Sequence, residues 1–187
     1  MNLTKPIPTR FETERLLVRR YELADEQRLF NAARSSIAEI FEFLPWCHPD
    51  YAIEDSRAWL KSILPNWREG TAYSFGIFDP DSKELLGGCG INQIDEHPIG
   101  NLGYWMATAH TRQGIASEAS RALAKFGIEH LGLQRIEIIM SVENPGSKAV
   151  AESVGATYEG RLRNRLMLHG RPHDAYLYSI TPGDIGK

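Results

Sequence analysis

Cysteine is scarce, with Cys47 and Cys89 the only two in 187 residues. Two thiols cannot build a disulfide framework, and nothing near them has zinc-ligand spacing. Reduced thiols in a cytoplasmic protein are the expectation. Long apolar runs are also missing. None approaches the roughly 18 residues needed to span a bilayer, and Met1-Asn2-Leu3-Thr4-Lys5-Pro6-Ile7-Pro8 contains no apolar core of a secretory leader. A membrane partner is therefore not expected. Neither sign of charge dominates, since 21 Lys and Arg against 24 Asp and Glu leave a net charge of −3. That balance does not suit a strongly basic clamp, so nucleic acid is not expected as a direct ligand. Internal repeats, low-complexity tracts and long linkers are absent as well, which leaves one domain.

What remains is ordinary globular material. At 42% apolar and 24% charged residues, the chain can bury enough surface to offset its ordering entropy. Residues 1–10, with two prolines and few apolar anchors, read as a flexible tail; 11–181 read as the domain, and 182–187 as a C-terminal tail. Alternation over Glu14–Tyr21 predicts a strand. Leu29, Ala32, Ala33, Ile37 and Ile40 predict a helix over 25–40, and Ala58, Trp59, Ile63 and Trp67 a second over 53–67. Between them lies an aromatic, proline-bracketed loop, 43–51. Tyr73, Phe75 and Ile77 predict a strand. Turn residues 79–83 then lead into a returning strand with Leu85, Cys89 and Ile91.

A strand over 99–107 and a helix over 114–131 follow, the helix with Ile115, Ala119, Leu123, Phe126 and His130 on one face and Gly132 as its stop. Further along come a strand over 135–142, a helix over 145–154, and strands over 157–168 and 173–180. This order gives an α/β fold with about four helices and a mixed, mostly antiparallel sheet.

Two segments carry chemistry. In Thr111-Arg112-Gln113-Gly114-Ile115-Ala116, a loop feeds a helix through small residues. The bare first turn would let an anion reach several free N–H groups at the positive end of the helix, and Arg112 adds a fixed charge. The spacing is neither GxGxxG nor a P-loop, and small residues placed there merely for packing explain it equally well. In Glu143-Asn144-Pro145-Gly146-Ser147-Lys148, Asn144 is a helix N-cap with Pro145 at the first helical position. That account leaves the pairing of the two helix openings unexplained.

Together these elements resemble the GNAT superfamily of N-acetyltransferases, and within it the RimJ/RimL branch that acetylates N-termini of ribosomal proteins. Thr13-Glu14-Arg15-Leu16-Leu17-Val18-Arg19 is similar to that branch's opening strand, Leu44-Pro45-Trp46 to its loop between the first two helices, and Gly103-Tyr104-Trp105 to its fourth strand. Asn144 to Ala149, Tyr158 to Arg163, His169-Gly170-Arg171, Asp174 and Tyr176–Ile180 are similar to its C-terminal half. The resemblance spans about 11–181.

It implies a GNAT sheet splayed between strands 4 and 5, here 99–107 and 135–142, with acetyl-CoA as cosubstrate and no metal. Backbone groups of Tyr104, Trp105 and Met106 would pair with pantetheine. Amides of Arg112, Gln113, Gly114, Ile115 and Ala116 would hold pyrophosphate, Asn144 would lie near the thiol end, and Ser147 near the sulfur. The implied reaction is direct transfer of an acetyl group to a primary amine, with Ser147 and Tyr104 as the catalytic candidates. Trp46, His48 and Tyr51 would line the acceptor side, although core aromatics are the commoner fate of such residues.

The expected acceptor is a protein N-terminal α-amine. A small-molecule amine, or no acceptor at all in a non-catalytic acyl-CoA-binding module, are the alternatives, and a homodimer is left open. The sequence departs from the branch at Thr111 and Asn101. It departs also where a general-base glutamate would be expected, because counting from Ser147 reaches Arg165 and Leu166. His48, Asp50, His97 and Tyr104 are the substitutes considered. Arg161, Arg163 and Arg165 alternate, which predicts one shared strand face, either an attractor for acidic chains or RNA or a solvated edge.

Overall fold

The computed structural model describes residues 6–94 and 97–185. Eight strands form one sheet in the order β1-β2-β3-β4-β5-β6-β8-β7. All neighbours are antiparallel except β5 and β6. The strands are β1 (Arg10–Glu12), β2 (Leu17–Arg20), β3 (Tyr73–Phe78), β4 (Leu85–Asn92), β5 (Ile99–Met106), β6 (Arg135–Ser141), β7 (Thr157–Leu168) and β8 (Arg171–Ile180). The helices are α1 (Glu26–Arg34), α2 (Ile37–Ile40), α3 (Ile53–Glu69), α4 (Ile115–Leu131) and α5 (Pro145–Ser153).

Most elements fall within two residues of their expected bounds, and the exceptions have local causes. The strand expected over 14–21 shortens to β2, and β1 precedes it as an additional strand; Thr13 Oγ1 accepts the Leu16 N–H at 3.1 Å and turns the chain between them. Part of the expected N-terminal tail is thereby structured: Arg10 belongs to β1 and Ile7 packs on the core. Residues 1–5 and 186–187 of the two expected tails lie outside the described residues.

The helix expected over 25–40 breaks after Arg34, giving five helices instead of four. Ser36 Oγ donates back to Ala32 O at 2.7 Å and accepts the Thr108 N–H at 2.9 Å. A tertiary bond thus competes with the helical ladder. The three arginines of β7 do not share a regular face. The register shifts between Leu162 and Leu166, Asn164 adopts φ 51°, and Arg161 pairs with Asp174 at 2.7 Å.

The core lies between the sheet and its helices. Phe75, Ile77, Ile91, Leu102, Leu123, Ile136 and Ile138 are each 2% exposed or less. Phe126 of α4 meets Phe75 edge-on at 5.1 Å. Of the face expected on this helix, Ile115, Ala119, Leu123 and Phe126 are buried, whereas His130 is exposed. Glycines in left-handed conformation bound α4 at both ends, Gly114 at φ 75° and Gly132 at φ 69°. Both cysteines are free and buried. Burial pushes the Cys47 thiol up to about 11 and the Cys89 thiol up to about 12, so neither offers a thiolate near neutral pH.

Candidate active site

The parallel ladder between β5 and β6 has three pairs, Ile99–Arg135, Gly100–Ile136 and Asn101–Glu137, and then ends. β5 continues to Met106 and β6 to Ser141 with no further pairing between them. The sheet is therefore open in its middle. Because β1 is counted separately, these strands are the fourth and fifth of the splay expected from sequence. Backbone groups of Leu102–Met106 on this edge are available to an extended ligand, as they would be to another strand.

At the open end, a 3-10 turn at Thr108–His110 leads through Thr111 into α4. Arg112 at φ 60° and Gly114 at φ 75° are both left-handed, and Gly114 leads directly into the right-handed first turn of α4, a change that turns successive N–H groups toward one concavity. The amides of Ile115 and Ala116 belong to the first helical turn and have no intrahelical acceptor. Ile115 itself is buried and contributes its backbone alone. Gln113 secures the turn by donating from Nε2 to Ala109 O at 3.1 Å.

Sequence reading missed a buttress here. Arg15, in the β1–β2 turn, donates to Gln113 O at 3.2 Å and pairs with Glu118 at 2.7 Å. Glu118 also accepts from the Arg15 amide and from Thr13 Oγ1. No local pattern signals a contact between residues 103 apart.

Across the opening stands α5. Asn144 Oδ1 accepts the Ser147 N–H at 2.9 Å, so the N-cap fixes the place of Ser147 in the first turn of the helix. Ser147 Oγ lies 2.7 Å from Tyr104 Oη, and Tyr104 also donates to Ser147 O at 3.1 Å. This pair of hydroxyls joins β5 to the first turn of α5 across the opening. Burial pushes the Tyr104 phenol up to about 12 against the opposing effect of Ser147. Near neutral pH the phenol stays protonated, so it can donate a proton but cannot serve as a resting base.

The opposite sheet face carries Asn101, Gly103 and Trp105, since β5 alternates. Trp105 meets Trp46 edge-on at 5.6 Å, and Trp46 meets Tyr51 at 5.7 Å. Trp46 is 40% exposed, whereas Tyr51 is 4% exposed and bonds Ser56 at 2.8 Å. His48 sits 3.8 Å from Asp55 on α3, Asp50 is exposed in the same loop, and His97 precedes β5 at the end away from Met106. The structure thus brings together Tyr104, Asn144 and Ser147, and separately Trp46, Tyr51 and Trp105. Among the described residues, no three His, Cys, Asp or Glu side chains converge as metal ligands.

This geometry has relatives. Residues 15–157 match the model of the acetyltransferase (GNAT) domain. The chain belongs to the GNAT acetyltransferase family. The uncharacterised N-acetyltransferase p20 of Bacillus licheniformis is 32% identical over 169 residues, covering 90% of this chain and 93% of that protein. The ribosomal-protein-serine acetyltransferase of Escherichia coli is 33% identical over 127 residues, covering 67% of this chain and 70% of that one.

Among solved structures, a RimL ribosomal L7/L12 α-N-protein acetyltransferase in complex with coenzyme A superposes with a TM-score of 0.83. It is 24% identical and covers 94% of this chain and 97% of its own, which bears on the fold. A GNAT enzyme uses acetyl-CoA, and the open β5–β6 edge with its left-handed cradle fits that molecule. A thioester carrier has a diphosphate for the amides of the cradle and an extended amide arm for the edge of β5.

Proposed function

We propose that this acetyltransferase moves the acetyl group of acetyl-CoA directly onto a primary amine, and that the α-amine of a protein N-terminus is its acceptor. The observation that carries the reading is the β5–β6 opening, bridged by the Tyr104–Ser147 hydroxyl pair and faced by the amide cradle at Arg112–Ala116. The similarity to a ribosomal-protein-serine acetyltransferase over 127 residues supports the acceptor class.

In this mechanism, Arg112 and the amides of Gln113, Gly114, Ile115 and Ala116 hold the diphosphate. Backbone groups of Tyr104, Trp105 and Met106 align the pantetheine arm, and Asn144 sets the register of Ser147. A β5 N–H facing the gap stabilises charge developing on the acetyl oxygen without reorganising. The Tyr104–Ser147 pair supplies a proton to the departing sulfur. Trp46 and Trp105 wall the acceptor side, with His48 and Tyr51 behind them. Much of the rate comes from holding amine and thioester together.

Acetyl-CoA at about 100 times its Kd raises the melting temperature by roughly 5–10 °C, the equivalent of about 2.7 kcal/mol. Mass spectrometry then shows one added acetyl group on peptides with N-terminal Ser or Ala, in preference to a panel of small amines. The reverse preference moves the acceptor to small molecules, and binding without turnover on either panel removes the transferase reading.

Tyr104→Phe and Ser147→Ala each lower kcat about 10–100-fold while CoA affinity stays within about threefold. A hydroxyl is a weak acid, so the loss stays at or below the low end of general-acid effects. Calorimetry with CoA beside steady-state kinetics separates the two parameters, and unchanged kcat in both variants removes the relay.

A further inference from the structure

The hydroxyl pair protonates the departing sulfur, but nothing described so far takes the proton from the acceptor. On the far flank of β6 lies a second cluster. His173 Nδ1 stands 3.3 Å from Glu143 Oε2, with His173 side-chain exposure at 22%. The two residues line a cavity of about 460 Å³ together with Val142, Arg161, Arg171 and Asp174. Asp174 is held by Arg161 at 2.7 Å and by the Asn164 amide at 2.8 Å, so it turns away from the imidazole. Arg171 keeps the rim cationic. Nε2 of His173 meets no hydrogen-bond partner among the described residues.

Register places this imidazole on the acceptor face. Ile136, Ile138 and Met140 of β6 face the core under α4, so Glu137, Ile139 and Ser141 face the other way, with Asn101 as the partner of Glu137. Ser141 pairs with Ala175 of β8, and His173 is two residues beyond on the same strand face. Gly103 and Trp105 lie on that face of β5. Glu143 directly precedes Asn144, whose side chain seats Ser147. The hydroxyl pair and the Glu143–His173 pair therefore lie toward opposite sheet faces at the end of β6, on either side of Asn144.

We infer that His173 is the general base of this transferase and that Glu143 orients it, an assignment that rests on the function proposed above. Glu143, 3.3 Å from Nδ1, favours the tautomer with its proton on that nitrogen, which leaves Nε2 with its lone pair. The acceptor ammonium gives one proton to Nε2, which passes it to solvent. The amine then forms the N–C bond as the C–S bond breaks. The nitrogen loses its second proton, which balances the one the sulfur takes through Ser147, and one proton is released overall.

The test uses the full chain, acetyl-CoA and whichever N-terminal peptide the wild type acetylates best. His173→Gln lowers kcat/KM about 100-fold at pH 7 with CoA affinity unchanged. Its deficit narrows as pH rises past the free α-amine value of roughly 8, where the acceptor no longer needs a base. Glu143→Gln lowers kcat about tenfold at pH 7 with CoA affinity unchanged, and this deficit narrows with rising pH as that of His173→Gln does. Should His173→Gln melt early, His173→Ala with added imidazole carries the test, and rescue of turnover supports the assignment.

A His173→Gln protein with wild-type kcat/KM at pH 7 overturns the base and leaves the transferase reading standing. Activity lost only in step with CoA affinity, or not rescued by imidazole, overturns it as well. A wild type that binds CoA yet acetylates no peptide and no small amine removes both.

Discussion

Asp25→Ala melts roughly 6–12 °C below the wild type, the equivalent of about 3 kcal/mol in a chain of this size. The carboxylate is 1% exposed and sits at the junction between β2 and α1. Arg19 grips it with two bonds of 2.7 and 2.8 Å, the Glu22 amide adds a third at 2.9 Å, and Arg28 stands at 3.4 Å. The Arg19 guanidinium also lies over the Phe78 ring at 4.0 Å, so it cannot swing freely to water once its partner is gone. The loss is therefore that of an uncompensated charge, beyond the modest net worth of an intact pair. Asp25→Asn keeps the shape and one acceptor oxygen and falls between the two.

The same pair has a signed pH dependence. Burial acts to raise the Asp25 pKa, but the bonds from Arg19 and the Glu22 amide outweigh it and hold the carboxyl below its usual value. A depressed carboxylate contributes its full stability above the unfolded value, roughly 3.9, and loses it as pH falls through the folded one. Below about pH 4 the wild-type melting temperature thus declines more steeply than that of Asp25→Ala, and the two curves converge. Parallel curves, or a melting-temperature loss under about 2 °C, remove the pair from the fold's stability.

How much of this was legible in sequence follows from the range of each interaction. Helix α4 was, because Gly114, the apolar spacing and Gly132 all act within a few residues of where they sit. The β3–β4 hairpin was as well, since Asp79 Oδ1 accepts the amides of Asp81 and Ser82 at 3.0 and 2.7 Å and closes the turn locally. The break at Ser36 was not, because its decisive partner, the Thr108 amide, is 72 residues away.

The candidate site divides in the same way. Arg112, Gly114, Asn144 and Ser147 announce themselves by helix-opening chemistry. Glu143 and His173 do not, because only the β6–β8 register brings a residue after one strand against a residue early in another. The periodicity of Arg161, Arg163 and Arg165 misled, because a bulge cancels alternation without leaving a compositional trace.

Gly87→Ala is the second large effect, and its contrast with Gly103→Ala shows what the glycines of the central strands are for. The two residues lie on neighbouring strands, β4 and β5. A Cβ built at Gly87 would stand 2.3 Å from Trp105 O and 3.1 Å from Met106 Cα, both backbone atoms, whereas a Cβ at Gly103 would meet nothing within 4 Å. Backbone cannot yield as a side-chain tip does. Gly87→Ala must push β5 away from β4 at the residues that face the opening.

Overpacking of this kind costs about 1–3 kcal/mol, or roughly 2–12 °C in melting temperature. The displaced strand also loses its alignment with the pantetheine arm, so CoA affinity falls about tenfold or more. Gly103→Ala leaves melting temperature within about 2 °C, since strand glycine offers no entropic advantage over alanine. Melting curves and CoA calorimetry on the two variants decide the matter. Equal stability and equal CoA affinity would mean that β5 adjusts freely at Trp105 and Met106, and a strand so compliant could not hold the opening in a fixed geometry.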